Sequence, residues 1–455
     1  MIKFLFFDGH ELEWVRGFAR RPQQATKYGA NPVFRADAPW EAGNITLYGS
    51  VAKPDGGPFQ LWYTTTHVEG GYYLAYAESD DGIHWRRPSF DLYPFDGRPT
   101  NLIFRNPHGA AVFLDAEEPR EDWRYKMVTG APPSGCITAF HSADGIHWKR
   151  VGAGPVIGTR PDCPMGLLRA ADGRYVVYHR TWGYGRRIFR SESWDFRHWS
   201  EPKLVLEPDP ADGTQVQFYG VGVSLYGPYE VGTLWIYRTE EDDLDLYKML
   251  GLQEPELIYS RSGYAWHRPA QGVPFVPHGG PTEWDSGNLQ CASAPVFLPG
   301  EIRYYYAGTN VRHKRDWERE KQTSGLGMAS LRPDGFVALV AGEEPAELLT
   351  TPFILPSTQV RINAVTERNG WIRAALLDAD GSPVAGYDDS LPICGDSTEH
   401  DVQWPGAAAG EAPAGKLVRI RVRARNAALF SVAVGDASPY YRFTEGNPAR
   451  NHLTI

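Results

Sequence analysis

Short apolar and aromatic runs in strand period alternate with turns along most of this chain, and stretches of helical period are scarce. One turn organises them. Tyr72-Tyr73-Leu74-Ala75-Tyr76-Ala77 runs into Ser79-Asp80-Asp81-Gly82-Ile83-His84-Trp85-Arg86-Arg87-Pro88. The same pattern returns at 142–148 as Ser-Ala-Asp-Gly-Ile-His-Trp, more loosely at 193–202 and 260–269, and in degenerate form at 330–336 around Pro333-Asp334-Gly335. Gly takes positive φ cheaply, and Asp bonds its own backbone, so each copy predicts a tight turn between strands. The Trp that follows is broad enough to wedge between neighbouring sheets. A unit that recurs every ~50–70 residues and cannot bury its faces alone is the signature of a propeller. Five copies predict five blades.

The spacing places the blades at about 31–88, 105–151, 160–205, 215–272 and 284–340. Residues 1–30 read as an entry segment whose strand at 2–7 is available to complete a blade. After Ala341-Gly342-Glu343-Glu344-Pro345 the alternation becomes cleaner, as in Leu417-Val418-Arg419-Ile420-Arg421-Val422-Arg423, with apolar groups on one face and charge on the other. The expected fold class is therefore all-β: a five-bladed β-propeller over 1–340 followed by a C-terminal β-sandwich over 345–455.

Composition agrees and narrows the partners. A chain of 455 residues calls for two domains, and 48 Gly, 36 Pro and 13% aromatics suit many short strands. Formal charge is -9, with basic residues scattered, so neither nucleic acid nor an anionic membrane is an expected partner. The four cysteines, Cys136, Cys163, Cys291 and Cys394, lack metal-ligand spacing and read as free thiols, with a disulfide left open. Asp8, His10, Glu11 and Glu13 cut the apolar start too short for a signal peptide, which makes a cytoplasmic location the expectation for the chain as given.

Topology separates candidate chemistry from turns. In a four-stranded blade the starts of first strands and the loops after second strands share one face, and the repeat turn lies on the other. Asp80, Asp144 and Asp195 in the repeat turns are therefore read as structural. On the shared face fall Trp40, Glu41, Asn44, His108, Arg160, Asp162, His179, Arg180, Gln217, Tyr219, Arg238, Glu283, Trp284, Asp285, Asn288 and His313. Pro39-Trp40-Glu41 opens blade one and Glu283-Trp284-Asp285 opens blade five. A carboxylate beside an indole suits a sugar, whose C–H face stacks on the ring while the acid acts on the glycosidic oxygen or on water. The alternative is that both indoles are wedges and both acids cap turns. Glycoside cleavage needs two carboxyls with opposite duties, and Glu41, Asp162, Glu283 and Asp285 are the candidates. Arg180 and Arg238 are expected to hold a carboxylate or an acidic sugar, or else to bridge within the sheet.

The repeated Ser-x-Asp-Gly-x-x-Trp resembles a shortened sialidase Asp-box. Asn31-Pro32-Val33 leading to Pro39-Trp40-Glu41, Trp123-Arg124-Tyr125-Lys126-Met127, Arg186-Arg187, Leu377-Asp378-Ala379-Asp380-Gly381 and Gly395-Asp396-Ser397 resemble a little-characterised branch of the five-bladed glycoside hydrolase superfamily. That superfamily includes the invertase and fructanase enzymes and the arabinosidases and xylosidases. The resemblance implies a nucleophile or base at Glu41, an orienting acid at Asp162 and an acid at Glu283 or Asp285. The invertase motifs Asn-Asp-Pro-Asn-Gly, Arg-Asp-Pro and Glu-Cys are absent as written, a departure that speaks against fructoside specificity. Some relatives carry calcium in the axial channel. No cofactor is required by the residues here, and a structural calcium ion stays open. The expected activity is hydrolysis of a terminal glycosidic bond in an oligosaccharide, polysaccharide or small glycoside. Two other readings stand beside it: a glycan phosphorylase holding phosphate on Arg180, His179, Arg312 and His313, and a noncatalytic glycan-binding propeller.

Overall fold

The computed structural model describes residues 2–130, 136–158, 161–181, 185–240, 250–313, 322–407 and 413–435. Five antiparallel sheets form a five-bladed propeller, and among the described residues the only helical element is a 3-10 turn at Glu121–Trp123. Blade one comprises Glu41–Ala52, Phe59–His67, Tyr72–Ser79 and Trp85–Arg86, with Leu102–Arg105 also paired to Tyr72–Ser79. Blade two comprises His108–Leu114, Tyr125–Gly130, Ile137–Ser142 and Lys149–Arg150, and blade three Pro161–Arg169, Tyr175–Thr181, Ile188–Ser193 and Lys203–Leu206. Blade four comprises Val216–Tyr226, Tyr229–Thr239, Gly251–Ser260 and Trp266–His267. In blade five an inner strand in two pieces, Leu289–Cys291 and Val296–Leu298, precedes Glu301–Thr309 and Ser324–Leu331.

First strands meet at the axis. The Val112 N–H donates to Ser50 Oγ (2.9 Å), Ser50 and Ser293 share a hydrogen bond of 2.5 Å, and Val223 N–H donates to the Ser293 carbonyl. Backbones approach so closely that a Cβ on Gly222 would stand 2.3 Å from the Ala292 carbonyl oxygen, which is why glycine occupies that position.

Three of the repeat turns fasten a blade to the one before it. In the turn of blade two, Ser142 Oγ and the backbone N–H groups of Ile146 and His147 all bond Asp144 Oδ1, and His147 Nδ1 faces Oδ2 at 2.7 Å. The same set recurs around Asp195 and, in blade one, around Asp81. Asp81, not Asp80, is thus the repeat residue; Asp80 lies exposed against Arg86. Copy three has no glycine, and Phe196 adopts the same left-handed φ of 62° with its ring fully buried. The turn carbonyl then accepts from an aromatic donor of the preceding blade: Gly145 from Trp62 Nε1 (2.7 Å), Gly263 from Tyr178 (3.3 Å) and Gly82 from Tyr305 of blade five (2.9 Å). The repeat tryptophans are only half-buried, with Trp85 edge-on to Tyr305 and Trp266 edge-on to Tyr178. Trp62 and Trp235, on second strands, are the fully buried indoles.

The degenerate fifth copy does something else. After Ser324–Leu331 the chain leaves the propeller, and the outer edge of blade five is filled by Thr26–Lys27 and Phe34–Arg35 from the N-terminal segment. Ile2–Leu5, expected as a blade strand, instead pairs with Leu417–Val434. Leu12–Arg16 and Ala19–Pro22 join the same nine-stranded sheet, as do Val337–Ala341 and Val360–Asp378. Val418, Ile420, Val422 and Ala424 face its apolar core while Arg419, Arg421 and Arg423 face outward, as the alternation predicts. Asp334 of the fifth copy ties the two units together: it accepts from Lys3 Nζ, the Tyr226 hydroxyl and Ser431 Oγ, all buried.

Two outcomes follow for stability. Trp62→Phe leaves the buried Gly145 carbonyl without its donor and should cost about 1–3 kcal/mol in urea unfolding. Burial alone would raise the Asp144 carboxyl, but the His147 backbone and side chain and the Ile146 N–H bring it from 3.8 down to about 2. A carboxyl depressed in the folded state contributes stability above its unfolded value and loses it as pH falls through the folded one. Unfolding free energy measured from pH 4 to pH 2 should therefore fall less steeply in Asp144→Asn than in the unaltered protein.

Candidate active site

Blade three carries the charged centre of the axial well. Asp162, at the start of its first strand, is met by Arg180 near the end of its second, with Arg180 Nε donating to Asp162 Oδ2 at 2.5 Å. Arg180 Nη1 also donates to the Tyr219 carbonyl of blade four (2.8 Å), and its guanidinium lies 4.2 Å from the centre of the Tyr219 ring. Burial works against this charge, but Tyr219 and Asp162 more than offset it, and the arginine pKa is held well above its ordinary value. Asp162 Oδ1 is buried and has no hydrogen-bond donor among the described residues. His108 Nδ1 stands 3.1 Å from it, close enough for an ion pair but out of line for a hydrogen bond. Desolvation of the His108 ring outweighs the pull of Asp162, and the positive charge of Arg180 acts in the same direction as the desolvation, so the imidazole pKa is lowered. Next in sequence, Cys163 is pushed up to about 12 by burial, which keeps its thiol protonated.

Aromatic rings pack beside that pair in one buried cluster with Cys163 and Met165. Tyr48 of blade one lies parallel to Tyr219 (6.4 Å, 11°) and stacks on Trp235 of blade four (5.6 Å, 24°). Their hydroxyls join a chain in which Tyr48 bonds Tyr219 at 3.1 Å, Tyr219 meets His313 Nε2 at 3.1 Å, and His313 Nδ1 meets the Tyr237 hydroxyl at 3.0 Å. Arg186 donates to Gln217 Oε1 (2.7 Å) and lies 4.8 and 5.2 Å from the Tyr219 and Tyr237 ring centres. Gln290 donates to Gln253 Oε1 (3.0 Å), whose own Nε2 is buried without an acceptor among the described residues.

Of the residues expected to converge, Asp162, Arg180, His108, Gln217, Tyr219 and His313 do so. The others lie in separate networks. Glu41 accepts from the Tyr63 hydroxyl (2.5 Å), Arg87 Nη2 (2.9 Å) and the Ala38 N–H (3.0 Å), while Trp40 donates to Asn101. Asp285 accepts from Lys27 (2.7 Å) and Tyr306 (2.9 Å), and Trp284 stacks on Tyr306. Glu283 is exposed and accepts the Gly280 N–H (3.0 Å). For Glu41 and Glu283 these contacts are those of turn caps. Arg238 bridges Glu254 and Glu256 within its own sheet, Asn44 bonds Thr66 and Gln322, and Asn288 Nδ2 bonds the Val311 carbonyl. His179 faces away from Arg180, as strand alternation requires, and meets Ser191 at 3.3 Å; burial brings its pKa down to about 4. Arg160 and the acidic stretch at 242–245 lie outside the described residues. Among the described residues no group of three or more His, Cys, Asp or Glu is placed to hold a metal ion.

Tyr48, Arg186, Trp235, Tyr237 and Gln253 complete the well and were not expected there. Tyr48 continues the alternation Asn44, Thr46, Tyr48 down the inner strand, and Arg186 lies just before the third strand of blade three, so both were within reach of the topological rule.

No family model matches the sequence, and a search of curated proteins gives no match. Solved structures of similar fold include an N-acetylgalactosamine deacetylase from F. plautii in complex with blood group B trisaccharide (15% identity over 70% of this chain and 95% of that one, TM-score 0.47). A glycosyl hydrolase from Bacteroides ovatus matches at 14% identity over 69% of this chain and 94% of its own, with a TM-score of 0.47. A third belongs to a family of mannoside phosphorylases that contains glycoside hydrolases targeting beta-1,2 mannosidic linkages in Candida mannan (16% identity, 70% and 95% covered, TM-score 0.45).

Arg180→Met strands Asp162 as a buried carboxylate without its partner, and urea unfolding should register a loss of about 3–5 kcal/mol. Glu283→Gln, at an exposed turn, should stay within about 0.5 kcal/mol of the unaltered protein in the same measurement.

Proposed function

We propose that this protein cleaves a terminal glycosidic bond in the axial well, as a glycoside hydrolase, with Asp162 as the carboxylate that faces the anomeric centre. The observation that carries the reading is Asp162 Oδ1, a buried oxygen with no hydrogen-bond donor of its own among the described residues. A buried acceptor in that condition is costly unless a ligand or water completes it. Arg180 bonds the other oxygen of the same carboxyl, which leaves Oδ1 as the side turned to a ligand. An ionised acid suits a base toward water, or a counter-charge to the oxocarbenium ion. Tyr48, the partly exposed ring packed on that cluster, is the aromatic surface a sugar would stack on.

A second reading is phosphorolysis. It is favoured by the company Asp162 keeps, since Arg180 and His108 stand against the carboxylate and Arg186 lies over the neighbouring Tyr219 ring, and a phosphate attacking the anomeric carbon needs such donors and only one acid.

Both readings are tested by turnover of a panel of aryl pentosides and hexosides, with and without inorganic phosphate. Turnover independent of phosphate supports hydrolysis, and strict dependence supports phosphorolysis. Asp162→Asn should lower kcat by about 10²–10⁴-fold with folding retained, the range expected for loss of a positioned acid–base group. Near-normal kcat in Asp162→Asn contradicts the assignment.

A further inference from the structure

Among the described residues the centre holds one carboxylate where two are customary, because Glu41 and Asp285 are bonded elsewhere. What stands beside Asp162 is a line of hydroxyl and imidazole groups. We infer that Tyr219 gives the proton to the departing oxygen, with His313 positioning its hydroxyl. The inference rests on the reading of the axial well as the place where a glycosidic bond is broken.

Four observations converge on Tyr219. Its hydroxyl is flanked on both sides, by Tyr48 at 3.1 Å and by His313 Nε2 at 3.1 Å, so it has both a donor and an acceptor within reach. His313 is itself fixed by the Tyr237 hydroxyl on Nδ1 at 3.0 Å, which defines how the ring is turned. Two guanidinium groups, those of Arg180 and Arg186, lie 4.2 and 4.8 Å from the Tyr219 ring centre, where negative charge develops once the proton is given up. Arg180 is shared, since it bonds Asp162 on one side and the Tyr219 carbonyl on the other, and this holds the acid and the phenol in a fixed relation. The flanking phenols do not compete: burial raises Tyr48 and Tyr237 above their ordinary values and keeps them neutral.

The step balances as follows. The bond from the anomeric carbon to the glycosidic oxygen breaks, its electron pair stays on that oxygen, and the oxygen takes the proton of Tyr219. The cationic sugar carbon faces the Asp162 carboxylate. Water then bonds to that carbon and returns a proton to the Tyr219 phenolate, and in phosphorolysis monohydrogen phosphate does the same.

Leaving groups that need no proton distinguish this role from a structural one. A 2,4-dinitrophenolate departs unaided, whereas an unsubstituted phenol does not. Tyr219→Phe should lower kcat/KM on phenyl glycosides by about 10²–10⁴-fold and on 2,4-dinitrophenyl glycosides by less than about tenfold. His313→Gln should show the same selectivity in milder form, and Asp162→Asn should lose activity on both substrates. Equal losses on both substrates, or none, in Tyr219→Phe overturn the inference while leaving glycosidic cleavage standing. If the unaltered protein turns over no member of the panel, with or without phosphate, the cleavage reading falls and this inference with it. Should Tyr219→Phe fail to fold, the unaltered protein decides: a shallow dependence of kcat/KM on leaving-group acidity supports an assisted departure, and a steep one overturns it.

Discussion

A blade of this chain has two apolar faces and cannot exist alone, and the hydrogen bond from an aromatic side chain to the carbonyl of the next repeat turn is what joins one blade to another. Trp62 to Gly145, Tyr178 to Gly263 and Tyr305 to Gly82 are the same contact made at three joints of the ring. In blades one and two an Asp holds that carbonyl in place by gathering the backbone N–H groups behind it, and in blade four Ser262 Oγ takes the same place. With the turns fixed on one face, the first strands are carried to the axis and the opposite face is left to collect polar groups from different blades.

Once the strands are radial, charge becomes the constraint at the centre. Arg180 and Asp162 are both buried, a pairing that is stable only when each also finds further hydrogen bonds. Arg180 finds the Tyr219 carbonyl; Asp162 Oδ1 finds none among the described residues. Arg180 links that imbalance to the chain of tyrosine and histidine, since the same guanidinium lies over the Tyr219 ring.

The architecture is legible in the sequence because the repeat is local chemistry: Ser, Asp, Gly and Trp at fixed offsets dictate a turn wherever they occur. Its limits are equally local. The Asp80-Asp81 doublet offers two candidates, and only backbone geometry selects Asp81. The closing strands at 26–35 carry no repeat, so nothing in the residues announces that they fill blade five while Ile2–Leu5 goes to the other sheet. The site is legible by halves. Topology brings Asp162, Arg180, Tyr219 and His313 to one face, but a carboxylate at the start of a strand has two destinies, and Glu41 and Asp285 turn to the flanks of their blades because Tyr63, Arg87, Lys27 and Tyr306 receive them there. Alternation likewise separates His179 from Arg180, adjacent in sequence and on opposite faces of one strand.

The most direct test is diffraction from crystals soaked with a thioglycoside that resists cleavage. The expected result is a sugar ring against Tyr48 and Tyr219, with its anomeric carbon or a ring hydroxyl within hydrogen-bond reach of Asp162 Oδ1. A sugar seated elsewhere on the molecule, with Asp162 Oδ1 satisfied by water alone in a well that admits no ring, is the result that contradicts a carbohydrate site on the axis.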